Sequence, residues 1–334
     1  MSANQRWGGA VLLVACLSFL ACASKGGVRA DAPWTDPSPH REGAVTVEPG
    51  VSLEYLDWGG TGPVVVLLAG QGNTAHIFDD FAPLLTREFR VVALTRRGFG
   101  KSSKPESGYD VKTRVEDVRR ALDELKLDKV SLVGHSLAGD ELTAFAALHP
   151  QRVHKLVYLE AAYDHTRMDA LVEGAPTPSG PSDEERSSPQ AFTAWQSRMH
   201  GFEIPEAEVR TGNVFDARGQ WTADVTPGFV YERLAQGNAT PDYASVMAPV
   251  LAYYVVEEAV DVVFPWTKAM TPSEQEQISK VLRKLQTFGA AEQKRLTQAL
   301  PTARVVGVRE ANHYFFLTHS DTVVPELSAF LRAP

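Results

Sequence analysis

The sequence predicts an α/β protein built on a mostly parallel sheet covered on both faces. Three observations carry this expectation. Short, continuous apolar runs recur along the chain, as expected of strands buried on both sides. Stretches with apolar residues at helical spacing separate most of them. One run enters a Gly-x-Ser-x-Ala turn and then a helical pattern, the layout of a strand ending at a functional edge. The 334 residues are 44% hydrophobic and 22% charged, which excludes disorder and collagen. A net charge of -8 leaves no broad basic face and argues against nucleic acid as the main partner.

Residues 1–23 read as an export signal. Arg6 is a short positive region, Gly8 to Ala21 is almost wholly apolar, and small residues follow. The apolar stretch is short of the about 20 residues that a spanning helix needs. Leu20-Ala21-Cys22 resembles the lipobox of bacterial lipoproteins, which makes lipidation of Cys22 the preferred expectation. Leu13-Val14-Ala15-Cys16 fits that consensus better but would leave the apolar Leu17 to Leu20 on the mature end. Ala21-Cys22-Ala23 also suits plain cleavage before Ser24. Cys16 and Cys22 are the chain's two cysteines, so the mature protein is expected to have neither a disulfide nor a thiolate metal site. The expected location is the cell envelope, with contact to the membrane only through the lipid. Residues 24–43 are rich in Pro, Gly, Ser and charge and read as a tether.

Residues 44–334 are expected to fold as one domain. Ala44 to Val47 and Val51 to Leu56 flank Glu48-Pro49-Gly50, a hairpin signature. Pro63 to Ala69, Arg90 to Leu94, Lys129 to Val133, Val153 to Leu159, Pro249 to Val256 and Ala303 to Val308 are the buried strands. Val111, Val115, Val118, Leu122 and Leu125 share one helical face. Residues 165–247 break the alternation: no strong strand is visible, and short amphipathic pieces carry Trp195, Phe202, Trp221, Phe229 and Tyr231. So many aromatics imply packing, and the segment is expected to form a helical cap over the end of the sheet. Ile278, Val281, Leu282, Leu285 and Phe288 mark a further helix, expected to cover the sheet.

Ser136 is the candidate nucleophile. In Gly134-His135-Ser136-Leu137-Ala138-Gly139 a serine occupies a sharp strand-to-helix turn, where small neighbours leave room for the backbone and the helix N-terminus directs positive potential at the hydroxyl. A serine that merely caps the helix is the competing reading.

With this elbow, the sequence from Val47 onward resembles the α/β-hydrolase family. Arg97-Gly98-Phe99-Gly100-Lys101-Ser102 resembles the family's Arg-Gly-x-Gly-x-Ser turn, and Ala311-Asn312-His313-Tyr314-Phe315 its histidine loop. The resemblance implies an eight-stranded, mostly parallel sheet and a Ser, acid, His triad in that chain order. Serine rather than aspartate at position 136 argues against haloalkane dehalogenase and epoxide hydrolase chemistry.

His313 then follows the last strand as the general base, with His319 as a rival, and His135 is expected to pack behind the nucleophile. The oxyanion hole is expected from the N–H groups of Leu137 and Gln71, the latter in Ala69-Gly70-Gln71-Gly72. The acid stays open. Glu160 closes an apolar strand and is preferred; Glu258, Asp261 and Asp164 are the alternatives. The sequence thus points to a cofactor-free, metal-free serine hydrolase of an ester or related acyl bond, with an apolar small-molecule substrate. Two other readings remain. Gly70-x-Gly72-x-x-Ala75 with Arg96-Arg97 matches an NADP-binding pattern. A catalytically silent envelope protein of the same fold is the other. Nothing in the sequence sets the oligomeric state.

Overall fold

A computed structural model describes residues 34–256 and 259–334. Residues 1–33, with Cys16 and Cys22 and the expected export signal, and Glu257 and Glu258 lie outside the described residues. The chain builds β1 (Arg41–Glu48), β2 (Val51–Gly59), β3 (Val64–Leu68), β4 (Arg90–Leu94), α1 (Val111–Glu124), β5 (Val130–His135), α2 (Ala138–Leu148) and β6 (Val153–Leu159). Then come α3 (Met168–Val172), α4 (Pro189–His200), α5 (Glu206–Gly212), the hairpin β7 (Asn213–Phe215) and β8 (Trp221–Asp224), and α6 (Gly228–Gly237). β9 (Val250–Val255), α7 (Val260–Val263), α8 (Pro272–Ala299), β10 (Arg304–Val308), α9 (Phe315–Thr318) and α10 (Ser320–Arg332) complete it.

Eight strands form one sheet in the order β1-β2-β4-β3-β5-β6-β9-β10. β1 and β2 pair antiparallel, β2 is antiparallel to β4, and every pairing from β4 to β10 is parallel. The continuous apolar runs have a direct cause. In β3, Val66 and Leu68 enter one core cluster, while Val65 and Leu67 enter the other on the opposite face. α1 and α2 cover the first face, through Val115, Leu122, Leu142 and Phe145. Phe315 and Phe316 of α9 and Val323 and Leu327 of α10 cover the second. The parallel order places the carboxyl ends of β5, β6, β9 and β10 side by side, which is where this architecture gathers functional residues.

The structure corrects three expectations. The tether does not extend to residue 43: β1 starts at Arg41, and the Arg210 guanidinium lies 4.8 Å from the Trp34 ring centroid. Pro, Ser and charge in residues 34–40 mark a packed strap whose polar side chains have buried partners. Residues 165–247 contain helices but also the short β7–β8 hairpin, whose Trp221 stacks on Phe192 of α4 at 5.4 Å. α8 does more than cover the sheet. Phe288 and Leu296 join the sheet core, and Ile278, Val281, Leu282, Leu285 and Phe288 line a cavity at the strand ends. Its start is fixed by a Thr271–Glu274 capping box with Pro272 in the first turn.

Candidate active site

Ser136 follows β5 with φ 53, a left-handed backbone that a non-glycine residue rarely adopts. Its N–H donates to the Leu159 carbonyl at 3.1 Å, while Gly139 N–H closes the turn onto the Ser136 carbonyl at 2.9 Å. The small neighbours are required by contact. A Cβ at Gly134 would come within 2.6 Å of Leu142 Cδ1, and one at Gly139 within 1.7 Å of the Ala161 carbonyl oxygen. α2 begins at Ala138, so the Leu137 N–H is among the first-turn donors that find no partner inside the helix. A Cβ at Gly70 would lie 3.1 Å from Ser136 Cβ, which shows how closely the Ala69–Gly72 backbone passes the serine.

Glu160 repeats this geometry one strand over. It follows β6 with φ 49, and its N–H donates to the Tyr253 carbonyl at 3.1 Å. Its Oε2 accepts the Val255 N–H at 2.5 Å, and its Oε1 accepts the Tyr163 hydroxyl. Burial raises its pKa to about 7 against these two hydrogen bonds. Ser136, Glu160 and His313 line one cavity of about 500 Å³. Asp164 and Asp261 do not line it. Asp164 is engaged by Thr166, Thr240 and Arg295, and Asp261 is exposed on α7. Glu258 falls outside the described residues.

His313 lies between β10 and α9. Its Nε2 is buried without a hydrogen-bond partner, and its pKa is well below the ordinary histidine value, first through burial and then through His135, His165 and His200. His135 packs against it with ring centroids 4.5 Å apart. His319, the rival base, bonds Thr318 through Nδ1 at 2.8 Å outside the cavity wall. The remaining walls include Trp195, Met199 and His200 of α4, Phe264 and Trp266 after α7, and the middle of α8 from Ile278 to Gln293.

Three polar ties that sequence reading missed hold this site. Glu208 of α5 accepts the Thr74 N–H at 3.0 Å and the Asn73 amide at 3.0 Å. Tyr314 donates its hydroxyl to Asn73 Oδ1 at 3.1 Å, so Asn73 links the first loop to the histidine loop. Asn312 donates to the His200 carbonyl at 2.9 Å, joining α4 to the residue before His313. The only sequence trace of Glu208 is an acid set among the apolar Ala207 and Val209.

The glycine pattern at 70–75 does not open an α-helix. It leads into the 3-10 turn Ala75–Phe78, which offers no long helix terminus to a pyrophosphate. Arg96 and Arg97 are also committed. Arg96 donates through Nε to Glu141 at 2.5 Å and through Nη2 to the Ala69 carbonyl at 3.0 Å. Arg97 clamps Asp117 at 2.5 and 2.6 Å.

The fold is the alpha/beta hydrolase fold. A model of the alpha/beta hydrolase fold family matches residues 63–196, the stretch from β3 through the elbow into α4. The crystal structure of E-2-(acetamidomethylene)succinate hydrolase superposes with a TM-score of 0.65 and 19% identity, covering 88% of this chain and 100% of that one. An esterase from Rhodococcus sp. gives 0.60 and 19%, covering 88% and 99%. In sequence, a 2-hydroxy-6-oxo-6-(2'-aminophenyl)hexa-2,4-dienoic acid hydrolase of Metapseudomonas resinovorans is 32% identical over 120 residues, 34% of this chain and 40% of that protein. The curated relatives are matched over less than half of their own length.

Proposed function

We propose that the protein is a member of the alpha/beta hydrolase family and a serine hydrolase that cleaves an ester or related acyl bond without a cofactor. The observation that carries this reading is Ser136 held at φ 53 on the wall of a cavity that also contains His313 and Glu160. Ser136 attacks the carbonyl carbon while His313 takes the hydroxyl proton. The tetrahedral oxyanion receives the N–H groups of Leu137 and Gln71. His313 passes the proton to the leaving group, and water then releases the acyl group by the same route. A low histidine pKa keeps the imidazole neutral and able to accept the proton. Ionised Glu160 stabilises the imidazolium, which requires it to turn from Tyr163 toward His313 during the reaction. The aromatic and aliphatic walls suit a substrate with apolar parts. The leader adds a second proposal: export and anchoring in the cell envelope through a lipid on Cys22.

A fluorophosphonate probe tests the reaction class. We expect labelling of wild-type protein at Ser136, no labelling of Ser136→Ala, and hydrolysis of at least one ester in a series of short and long acyl chains. An unlabelled, well-folded wild type would leave a silent binding protein as the better reading.

A further inference from the structure

On the far side of the first loop, away from the cavity, four metal-ligating side chains converge. Asp36 and His40 come from the strap before β1, and His76 and Asp79 from the 3-10 turn after the loop. His40 Nε2 lies 3.1 Å from Asp36 Oδ2 and 3.3 Å from Asp79 Oδ1. His76 Nδ1 lies 3.2 Å from Asp36 Oδ2 and 3.0 Å from Asp79 Oδ2. Each ring nitrogen therefore faces an oxygen from both aspartates. A nitrogen carries at most one hydrogen and cannot point it squarely at two carboxylates. Asp79 Oδ1 is left buried with no hydrogen-bond partner although it faces into the cluster. One ligand atom from each of the four residues lies within 4.8 Å of the others, and the four nitrogen–oxygen separations of 3.0–3.3 Å are close to the edge lengths of a coordination polyhedron. Four ligands at the about 2.0–2.1 Å of zinc bonds, arranged as a tetrahedron, would stand about 3.3 Å apart.

We infer that Asp36, His40, His76 and Asp79 form a structural site for a divalent transition-metal cation, with zinc as the expected occupant. Two imidazoles and two carboxylates supply nitrogen and oxygen donors without thiolate, and the two negative charges balance a divalent ion. The surroundings are built to hold these ligands. Ser38 N–H donates to Asp36 Oδ1 at 2.9 Å, Trp58 Nε1 donates to Ser38 Oγ at 3.0 Å, and Ser38 Oγ donates to the Asp79 carbonyl at 3.1 Å. Glu54 Oε1 stands 3.7 Å from His76 Nε2, on the side of the ring away from the cluster but beyond hydrogen-bond distance. Pro37 and Pro39 limit the strap between its two ligands. None of the four residues lines the cavity around Ser136. Four protein ligands leave no open position, so the ion would pin the strap to the turn that follows Asn73 and take no part in the chemistry.

Metal content and stability test this on the wild-type chain. After incubation with zinc and gel filtration, elemental analysis should find one zinc per chain. Cobalt in its place should give the intense visible bands of a tetrahedral centre. Removing the metal with a chelator should lower Tm by about 3–8 °C, and added zinc should restore it. Asp36→Asn and His40→Gln, both on the strap, should each lose the metal and the chelator response. Wild-type protein with less than a tenth of an equivalent of zinc, and the same Tm with and without chelator, would overturn the proposal and leave a clasp of protonated histidines on carboxylates. So would variants that keep the full complement.

Discussion

His135 Nε2–H donates to the carbonyl of His313 at 2.9 Å, so the residue before Ser136 anchors the loop that carries His313. The two rings lie 4.5 Å apart and His135 is fully buried, with its pKa lowered to about 4 by burial. It is therefore neutral near pH 7. His135→Phe keeps an aromatic ring in place but strands a buried carbonyl, at a cost of about 1–3 kcal/mol. We expect a folded variant with lower Tm and kcat reduced about tenfold or more (a scale set by), with KM little changed. Unchanged kcat on a model ester would show that the bond does not position His313.

Glu160 sets the expected pH dependence. Its folded pKa of about 7 exceeds the ordinary 4.5, while that of His313 lies well below the histidine value. If ionised Glu160 is needed, kcat/KM should rise through an apparent pKa near 7. Activity at pH 6 should be about tenfold below the plateau. Glu160→Gln should remove this inflection and lower kcat by about 10²-fold or more, whereas Glu258→Gln should change it by less than about tenfold. The reverse ranking in folded variants would move the acid to the segment after β9.

The same shift has a consequence for stability. A carboxyl with a raised folded pKa binds its proton more tightly in the native state, so its contribution is present below about pH 4.5 and lost as the pH rises through about 7. The upper limit is about 3 kcal/mol. Relative to wild type, Glu160→Gln should gain stability between pH 5 and pH 8. Equal urea midpoint differences at both values would contradict the buried, protonated carboxyl.

Gly139 tests the elbow by sterics alone. A methyl group there would sit 1.7 Å from the Ala161 carbonyl oxygen, and backbone cannot give way as a side chain can. Gly139→Ala should cost about 3 kcal/mol or more and displace α2 from β6. A variant with wild-type Tm and activity would mean that the helix sits farther from β6.

For the leader, wild-type protein should partition into detergent with a lipid on Cys22 as its first residue, and Cys22→Ser should release it or stall its processing. Mature protein in the aqueous phase beginning at Ser24 would establish plain secretion instead.

The sheet and the elbow were legible in the sequence because their causes are local. β3, β4 and β6 lie between two cores, so nearly every residue must be apolar, and the run itself marks the strand. Ser136 needs small residues beside it in the chain, and those form a readable motif. What the tertiary structure decided involves polar side chains paired across long stretches of chain. Asp164 and Glu160 are both acids after β6, yet only Glu160 lines the cavity with Ser136, because the chain turns left-handed at that residue. Glu208 meets Thr74 across 134 positions, and the strap residues Asp36 and His40 meet His76 and Asp79 only once β2 and the 3-10 turn have packed. A contact of that kind needs two polar groups at one point in space, and neither leaves a period or a spacing in the chain.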